Sequence, residues 1–265
     1  MTAHPLLDIY QHPDDYDLVH GKTSDDAAFW LELCDRLKPA SVLELGVGTG
    51  RLLLPLVRAG HRVTGVDVVP AMLQSAARKL QQEPRAAQAL AHLVEQDMRY
   101  LSLDRQFDLI FIGYNSVLHL LTAEDRSSMF TCAFKHTDPG GHFAVDVFNP
   151  DLAMLALAQR IESRGELEMA MDDPDTGRQV FRSASHRYND ASQTVTTHYV
   201  TDETIKGVGQ QPVEETVDYH IYYPEELRLL FLQAGFEVTA VYGDYGFEPF
   251  AGGCPRIIMA GRRSV

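Results

Sequence analysis

Apolar positions along this chain follow two rhythms, and the rhythm changes once. Through residues 24–37, Ala27, Ala28, Trp30, Leu31, Leu33, Cys34 and Leu37 recur every three or four places, which marks one face of a helix. Ser24 followed by Asp25 and Asp26 suits the start of that helix, because a hydroxyl and two carboxylates complement the free N–H groups there. Pro39 closes it. Short apolar runs then alternate with helical stripes: strands over 41–45, 61–67, 91–96, 107–112 and 141–148, and helices over 51–59, 70–82 and 123–135. The run at 107–112 is nearly all apolar, as in a strand covered on both faces. Strands alternating with helices predict a parallel sheet with helices on both faces.

After Pro150 the helical rhythm lapses. Residues 151–159 read as a short helix, but 165–223 alternate with a period of two and are rich in Thr, Val and Tyr, most clearly over 193–200 and 216–223. Turn residues divide this stretch at 173–177, at Asn189-Asp190 and at 207–209. A small antiparallel sheet of three or four strands, inserted into the α/β domain, is the expectation. A helix over 224–234 with Gly235 as its C-cap, then strands over 236–242 and 256–261, return the chain to the first sheet. The predicted organisation is an α/β domain from 1–150 and 224–265 with an inserted sheet over 151–223.

Composition narrows the partners. With 265 residues, 45% apolar and 23% charged, the chain is an ordinary globular one, long enough to bury a sizeable core. Its net charge of −14 and the lack of a basic run argue against nucleic acid and against an anionic membrane surface. No stretch reaches the ~18 apolar residues of a membrane span. The first ten residues lack the basic start and apolar run of a signal peptide. Cys34, Cys132 and Cys254 stand far apart with no C-x-x-C pair, as free thiols in a reducing compartment do. A cytoplasmic protein is the expectation.

Candidate chemistry begins at the end of the first predicted strand. Glu44-Leu45-Gly46-Val47-Gly48-Thr49-Gly50-Arg51 places three glycines at alternate positions between a strand and a helix. Glycine has no Cβ, so such a turn takes positive φ and lets a ligand approach the backbone. A phosphate-binding P-loop needs a Lys that is absent, and the nicotinamide fingerprint G-x-G-x-x-G has its third glycine one place later than here.

With its neighbours, this run resembles the class I S-adenosylmethionine-dependent methyltransferases. The other blocks of the resemblance are Val63-Thr64-Gly65-Val66-Asp67 with Val68, Met72 and Leu73, then Gln96-Asp97-Met98-Arg99, Phe107-Asp108 and Pro139-Gly140-Gly141. The resemblance implies a Rossmann-like, seven-stranded, mostly parallel sheet with helices on both faces, plus the inserted antiparallel sheet. It implies S-adenosyl-L-methionine as cofactor and no metal. Gly46, Gly48, Gly50 and Arg51 would form the cofactor turn. Asp67 at the end of the second strand would accept hydrogen bonds from a ribose diol, beside Val68; its alternative is a helix cap. Asp97 would meet the adenine amine, with Gln96 beside it in the cofactor set, and Met98 and Met72 would meet the adenine faces, although Met72 also fits a plain core position. Glu44 would hold the amino group of the methionine moiety. An acidic rim is electrostatically sensible for a cation of this kind.

The acceptor side is less explicit. After the fourth strand come Tyr114, Asn115, Ser116 and His119. The Asn/Asp-Pro-Pro-aromatic motif of enzymes that methylate nucleobases or glutamine is absent. The segment is more similar to small-molecule N-methyltransferases, notably the sugar-amine N,N-dimethyltransferases and, more distantly, glycine N-methyltransferase. That likeness adds Asn115 and Ser116 to the cofactor set and makes His119 a base or acceptor contact, the alternative being a structural histidine. It also covers Tyr10 and Asp15-Tyr16-Asp17-Leu18, an N-terminal element expected to fold over the cofactor as a lid. Tyr10 and Tyr16 join the cofactor set, with Tyr16 near the sulfonium or acceptor nitrogen as a catalytic candidate; a core-anchoring Tyr is the alternative. The basic residue expected a few places later is matched only by Lys22. Tyr222 in the inserted sheet and Tyr245 in the loop after strand six are acceptor-side candidates with Tyr114 and His119. By the same likeness the inserted sheet covers the active site or forms a dimer contact, and the protein is a monomer or homodimer. The expected acceptor is a small molecule, through nitrogen rather than oxygen, with a non-catalytic S-adenosylmethionine-binding protein as the rival reading.

Overall fold

The computed structural model describes residues 8–20, 25–160, 165–173 and 177–265. The expected helix cap at Ser24, the basic candidate Lys22 and the centre of the turn at 174–176 lie outside the described residues. Two compact units emerge: Ile9–Asn149 with Tyr222–Val265, and Asp8 with Pro150–Ile221.

The larger unit opens with three helices, α1 (Asp8–Gln11), α2 (Pro13–His20) and α3 (Asp25–Leu37). Strands and helices then alternate: β1 (Val42–Leu45), α4 (Leu53–Arg58), β2 (Val63–Asp67), α5 (Pro70–Gln81), α6 (Arg85–Gln88), β3 (Ala91–Glu95), β4 (Phe107–Ile112), α7 (Ala123–His136) and β5 (Thr137–Phe148). The smaller unit holds α8 (Leu152–Arg160), β6 (Glu166–Asp173), β7 (Arg178–Asn189), β8 (Thr194–Ile205), β9 (Val208–Gly209) and β10 (Val213–His220). The chain returns through α9 (Pro224–Ala234), β11 (Phe236–Tyr242) and β12 (Arg256–Arg263).

The seven-stranded sheet runs β11-β12-β5-β4-β1-β2-β3. The strands from β3 to β5 pair in parallel, and β12 is antiparallel to both its neighbours. The order reverses at β1, because the chain moves outward to β2 and β3 and then returns to β4 on the other side. Right-handed crossovers in opposite directions put the helices on opposite faces. They also leave a crevice at the carboxyl ends of β1 and β4, where open sheets of this kind bind ligands.

Burial explains why these segments hold. Val42 to Leu45 is buried throughout, as suits an interior strand flanked by β4 and β2. On one face Trp30 stacks on Phe111 at 4.2 Å, within a cluster that includes Phe29, Leu33, Leu53 and Val57. On another, Phe130, Phe143, Phe231 and Phe236 pack at centroid distances of 5.1–5.8 Å. Each such pair adds about 0.5–1.5 kcal/mol beyond its area.

The smaller unit corrects the sequence reading in two details. Its sheet has five strands, not three or four, because Val208–Gly209 pairs with β8 where only a turn was expected. Lys206 and Gly207 make the two-residue connection with φ of 48° and 79°, the conformation that matches hairpin twist. The predicted strand over 216–223 stops at His220, and Tyr222 belongs to the larger unit.

Candidate active site

The glycine turn adopts the backbone its spacing demands: φ is 77° at Gly46, 54° at Gly48 and 83° at Gly50. At Gly46 a Cβ would lie 2.8 Å from the Ser116 Oγ, so the end of β1 touches the segment after β4 only because residue 46 has no side chain. At Gly48 a Cβ would meet nothing within 4 Å, so that peptide faces open space.

Carboxylates surround the turn. Asp67 accepts from the Gly48 N–H at 2.7 Å and from the Val69 N–H at 2.9 Å, tying the turn to the end of β2. Burial raises its pKa, against those backbone donors. Glu44 is 3% exposed, and its Oε2 has no hydrogen-bond partner among the described residues. Burial pushes its pKa well up; the Arg51 cation opposes this, and Asp67 and Asp26 add to it. Arg51 is held by buried Asp26 through contacts of 2.7 and 2.6 Å, and its guanidinium lies 4.4 Å from the Tyr114 ring centroid.

An aromatic cluster sits beside this acidic group. Tyr10 packs on Tyr16 at 5.7 Å, Tyr16 on His20 at 4.7 Å and His20 on Tyr114 at 5.7 Å. The Tyr10 hydroxyl is 2.8 Å from the His119 Nε2, and the two rings meet edge to face. Burial lowers the His119 pKa to about 4, so the ring is neutral near pH 7. Burial likewise raises that of Tyr16. The helix that carries Tyr16 is latched to the glycine turn. Asp17 accepts from the Thr49 hydroxyl at 2.6 Å and pairs with Lys79 at 2.5 Å.

His119 ends a one-turn 3-10 helix, Ser116–His119, that is held from several sides. The Tyr222 hydroxyl donates to the Val117 carbonyl at 3.2 Å, and Arg126 donates to the Leu120 and Leu121 carbonyls. Tyr222 is 1% exposed, so it supports this turn from the core instead of lining a substrate wall. Tyr245, the other outlying candidate, donates its hydroxyl to buried Asp146 at 3.0 Å, and its loop stacks Phe247 on Phe29.

The remaining candidates divide. Met98 reaches the Gly46 region, its Cε 3.6 Å from where a Cβ would lie, whereas Met72 is buried at 1% exposure. Gln96 spends its amide on the backbone of Ser102. The Asp97 carboxylate is clasped by the Arg99 guanidinium and backbone. Burial acts to raise its pKa, but Arg99 outweighs it and the net direction is down. Val68 is exposed at 45%. Asn115 uses its side-chain oxygen to accept from the Phe148 N–H and from Arg256. Sequence reasoning missed His20, Asp26 and Asp146. His20 stands four residues after Tyr16 on one helix, and Asp146 is an acid inside an apolar strand; both were available signals.

An open parallel sheet with carboxylates around a glycine turn at its switch point is the arrangement at which α/β proteins bind their ligands. Comparison narrows that class: residues 42–141 match the family model described as Methyltransferase domain. The cypemycin N-terminal methyltransferase of a Streptomyces species is 26% identical over 240 residues, covering 89% of each chain. The CcbJ methyltransferase of Streptomyces caelestis shares the fold at a TM-score of 0.75, with 23% identity, 94% of this chain and 96% of that one covered. CalS10 of Micromonospora echinaspora, an amino pentose methyltransferase solved with bound S-adenosylmethionine, aligns at a TM-score of 0.70 and 20% identity over 100% of both chains. Residues 42–141 are therefore a methyltransferase domain, and the cofactor bound in such a solved neighbour is S-adenosylmethionine. The residues present fit that cofactor. A buried carboxylate oxygen on Glu44, unpartnered among the described residues, matches its cationic amine, and the open face of Gly48 leaves room for it. Among the described residues no group of three or more His, Cys, Asp or Glu is placed to hold a metal ion. No described helix is long and apolar enough to cross a membrane.

Proposed function

We propose that the protein methylates an amine nitrogen of a small molecule. The observation that carries this reading is the neutral His119 beside Tyr10, Tyr16, His20 and Tyr114, next to the acidic glycine turn. When bound, the cofactor supplies an activated methyl group on a sulfonium centre, so the chain's own residues need only bind, align and desolvate. Glu44 holds the cationic amine of the methionine moiety, Asp67 the ribose diol, and Met98 packs on the base. Gly46, Gly48 and Gly50 give the close backbone approach, with Arg51 fixed beside them by Asp26.

Tyr10 and Tyr16, carried on α1 and α2, close this site and exclude water. Electron-rich ring faces favour a nearby cation. His119 is too hard to protonate to store the ammonium proton; neutral, it holds the Tyr10 hydroxyl 2.8 Å from its Nε2 on the side where the amine binds. The ammonium product gives up its proton to solvent once it is released from the site. Support for nitrogen comes from the cypemycin N-terminal methyltransferase, and for a sugar-sized acceptor from the amino pentose methyltransferase.

The test is transfer of labelled methyl from S-adenosylmethionine to a panel of amino sugars, short peptides with free N-termini, and phenols. Label in the amines supports the proposal. Label confined to phenols moves the acceptor to oxygen, and cofactor binding with no transfer to any acceptor favours the non-catalytic reading.

A further inference from the structure

One buried carboxylate lies outside the proposed reaction yet governs where its residues stand. Asp146, in β5, is 0% exposed. Its Oδ1 accepts from the Arg256 Nε at 2.5 Å. Its Oδ2 accepts from the Tyr245 hydroxyl at 3.0 Å and from the Tyr114 backbone N–H at 3.0 Å. Its own carbonyl accepts from the Asn115 N–H at 3.1 Å. Arg256 also donates to the Asn115 side-chain oxygen at 3.1 Å. Four segments therefore meet at one side chain: β5, the start of β12, the loop after β11 and the end of β4.

What this network holds is strained. Tyr114 and Asn115 are consecutive non-glycine residues in the left-handed region, with φ of 50° and 67°. Residence there is costly for a residue with a Cβ and persists only where the surroundings over-determine it. The reversal has a consequence on either side. It turns the Tyr114 ring under the Arg51 guanidinium at 4.4 Å, with its hydroxyl 3.4 Å from the His20 Nδ1. It also starts the 3-10 turn that ends in His119.

We infer that Asp146, with Arg256 and Tyr245, is a positioning residue for methyl transfer: by holding the left-handed Tyr114–Asn115 turn it places Tyr114 and His119 together on the acceptor side. The inference rests on the proposed reading of those two residues as that side. Neither Asp146 nor Arg256 is placed in the cofactor set, so the device separates acceptor placement from cofactor binding.

The test follows the His119 ring by histidine Cε1–Hε1 NMR, with the resonance assigned by its loss in His119→Gln. It needs no acceptor, so it stands apart from the success of the methylation assay. In the unsubstituted protein the midpoint is expected at about 4. Asp146→Asn takes the anion from Arg256 and frees the turn; the ring becomes wetter and its midpoint rises by about one unit or more toward ordinary histidine. Arg256→Lys keeps the cation but loses the Asn115 contact, and a rise of about half a unit is expected. Calorimetry with S-adenosylhomocysteine should give dissociation constants within about twofold across all three proteins, since neither substituted residue is itself assigned to the cofactor. A midpoint unchanged in both variants overturns the inference, as does an affinity loss of similar size in both with His119 unmoved. If Asp146→Asn fails to fold, Arg256→Lys decides alone. Failure of the unsubstituted protein to bind S-adenosylhomocysteine would instead count against the cofactor geometry and leave the His119 measurement to judge the positioning role.

Discussion

Asp67 has two tasks in this geometry, and its removal separates them. The carboxylate accepts from Gly48 and Val69 in the structure and is assigned the ribose in the proposed function. Asp67→Ala should weaken S-adenosylhomocysteine binding by about 1–3 kcal/mol, the scale for a lost charged acceptor. Calorimetry checks this, and an unchanged dissociation constant would remove Asp67 from the cofactor set. His119 makes a pH prediction. Its folded pKa of about 4 lies below the ordinary 6.5, so between those values the unfolded chain binds the proton more readily. Stability from this group is therefore present above pH 6.5 and lost as pH falls toward 4, by roughly 3 kcal/mol at most. His119→Gln should flatten that part of a stability-versus-pH curve measured by denaturant unfolding. An unaltered slope would mean that the ring is not buried neutral.

Secondary-structure elements show how far local pattern carries. The strand at Phe107–Ile112 and the helix at Pro224–Ala234 fall where their apolar periodicity puts them, and Gly235 caps the helix in the left-handed conformation. The extra strand at Val208–Gly209 was hidden because two residues carry no periodicity; its existence depends on the partner β8. The same limit applies to α2. Its sequence names Tyr16, but nothing in it shows that Asp17 reaches Thr49 and Lys79. That latch makes a prediction. Asp17→Asn should loosen α2 from the glycine turn and speed proteolysis within residues 8–20, while the rest of the larger unit stays resistant. Equal cleavage rates would show that the aromatic contacts alone hold the helix.

In the whole molecule, cofactor linkage is the available measure. S-adenosylhomocysteine at about 100 times its dissociation constant should stabilise the larger unit by about 2.7 kcal/mol, and NAD at the same concentration should not. Hydrogen exchange resolves the effect by segment: protection is expected over Ile9–Asn149 and Tyr222–Val265. Equal stabilisation by NAD would contradict the assignment of the glycine turn.

Several features of this protein are local and were already present in the order of its residues. Alternate glycines between a strand and a helix can only be a turn with positive φ, and a parallel sheet follows from strands and helices taking turns. The carboxylates at strand ends follow from those two facts, since an open sheet gathers its strand termini on one edge. The acceptor side is different in kind. Tyr245 and Asp146 are 99 residues apart and meet through one hydrogen bond; Tyr222 is 105 residues from the carbonyl it supports; Tyr10 and His119 are 109 apart. Whether a tyrosine faces a substrate or props a turn depends on which distant polar group it must satisfy once buried, and that choice is made only when the chain has closed around it.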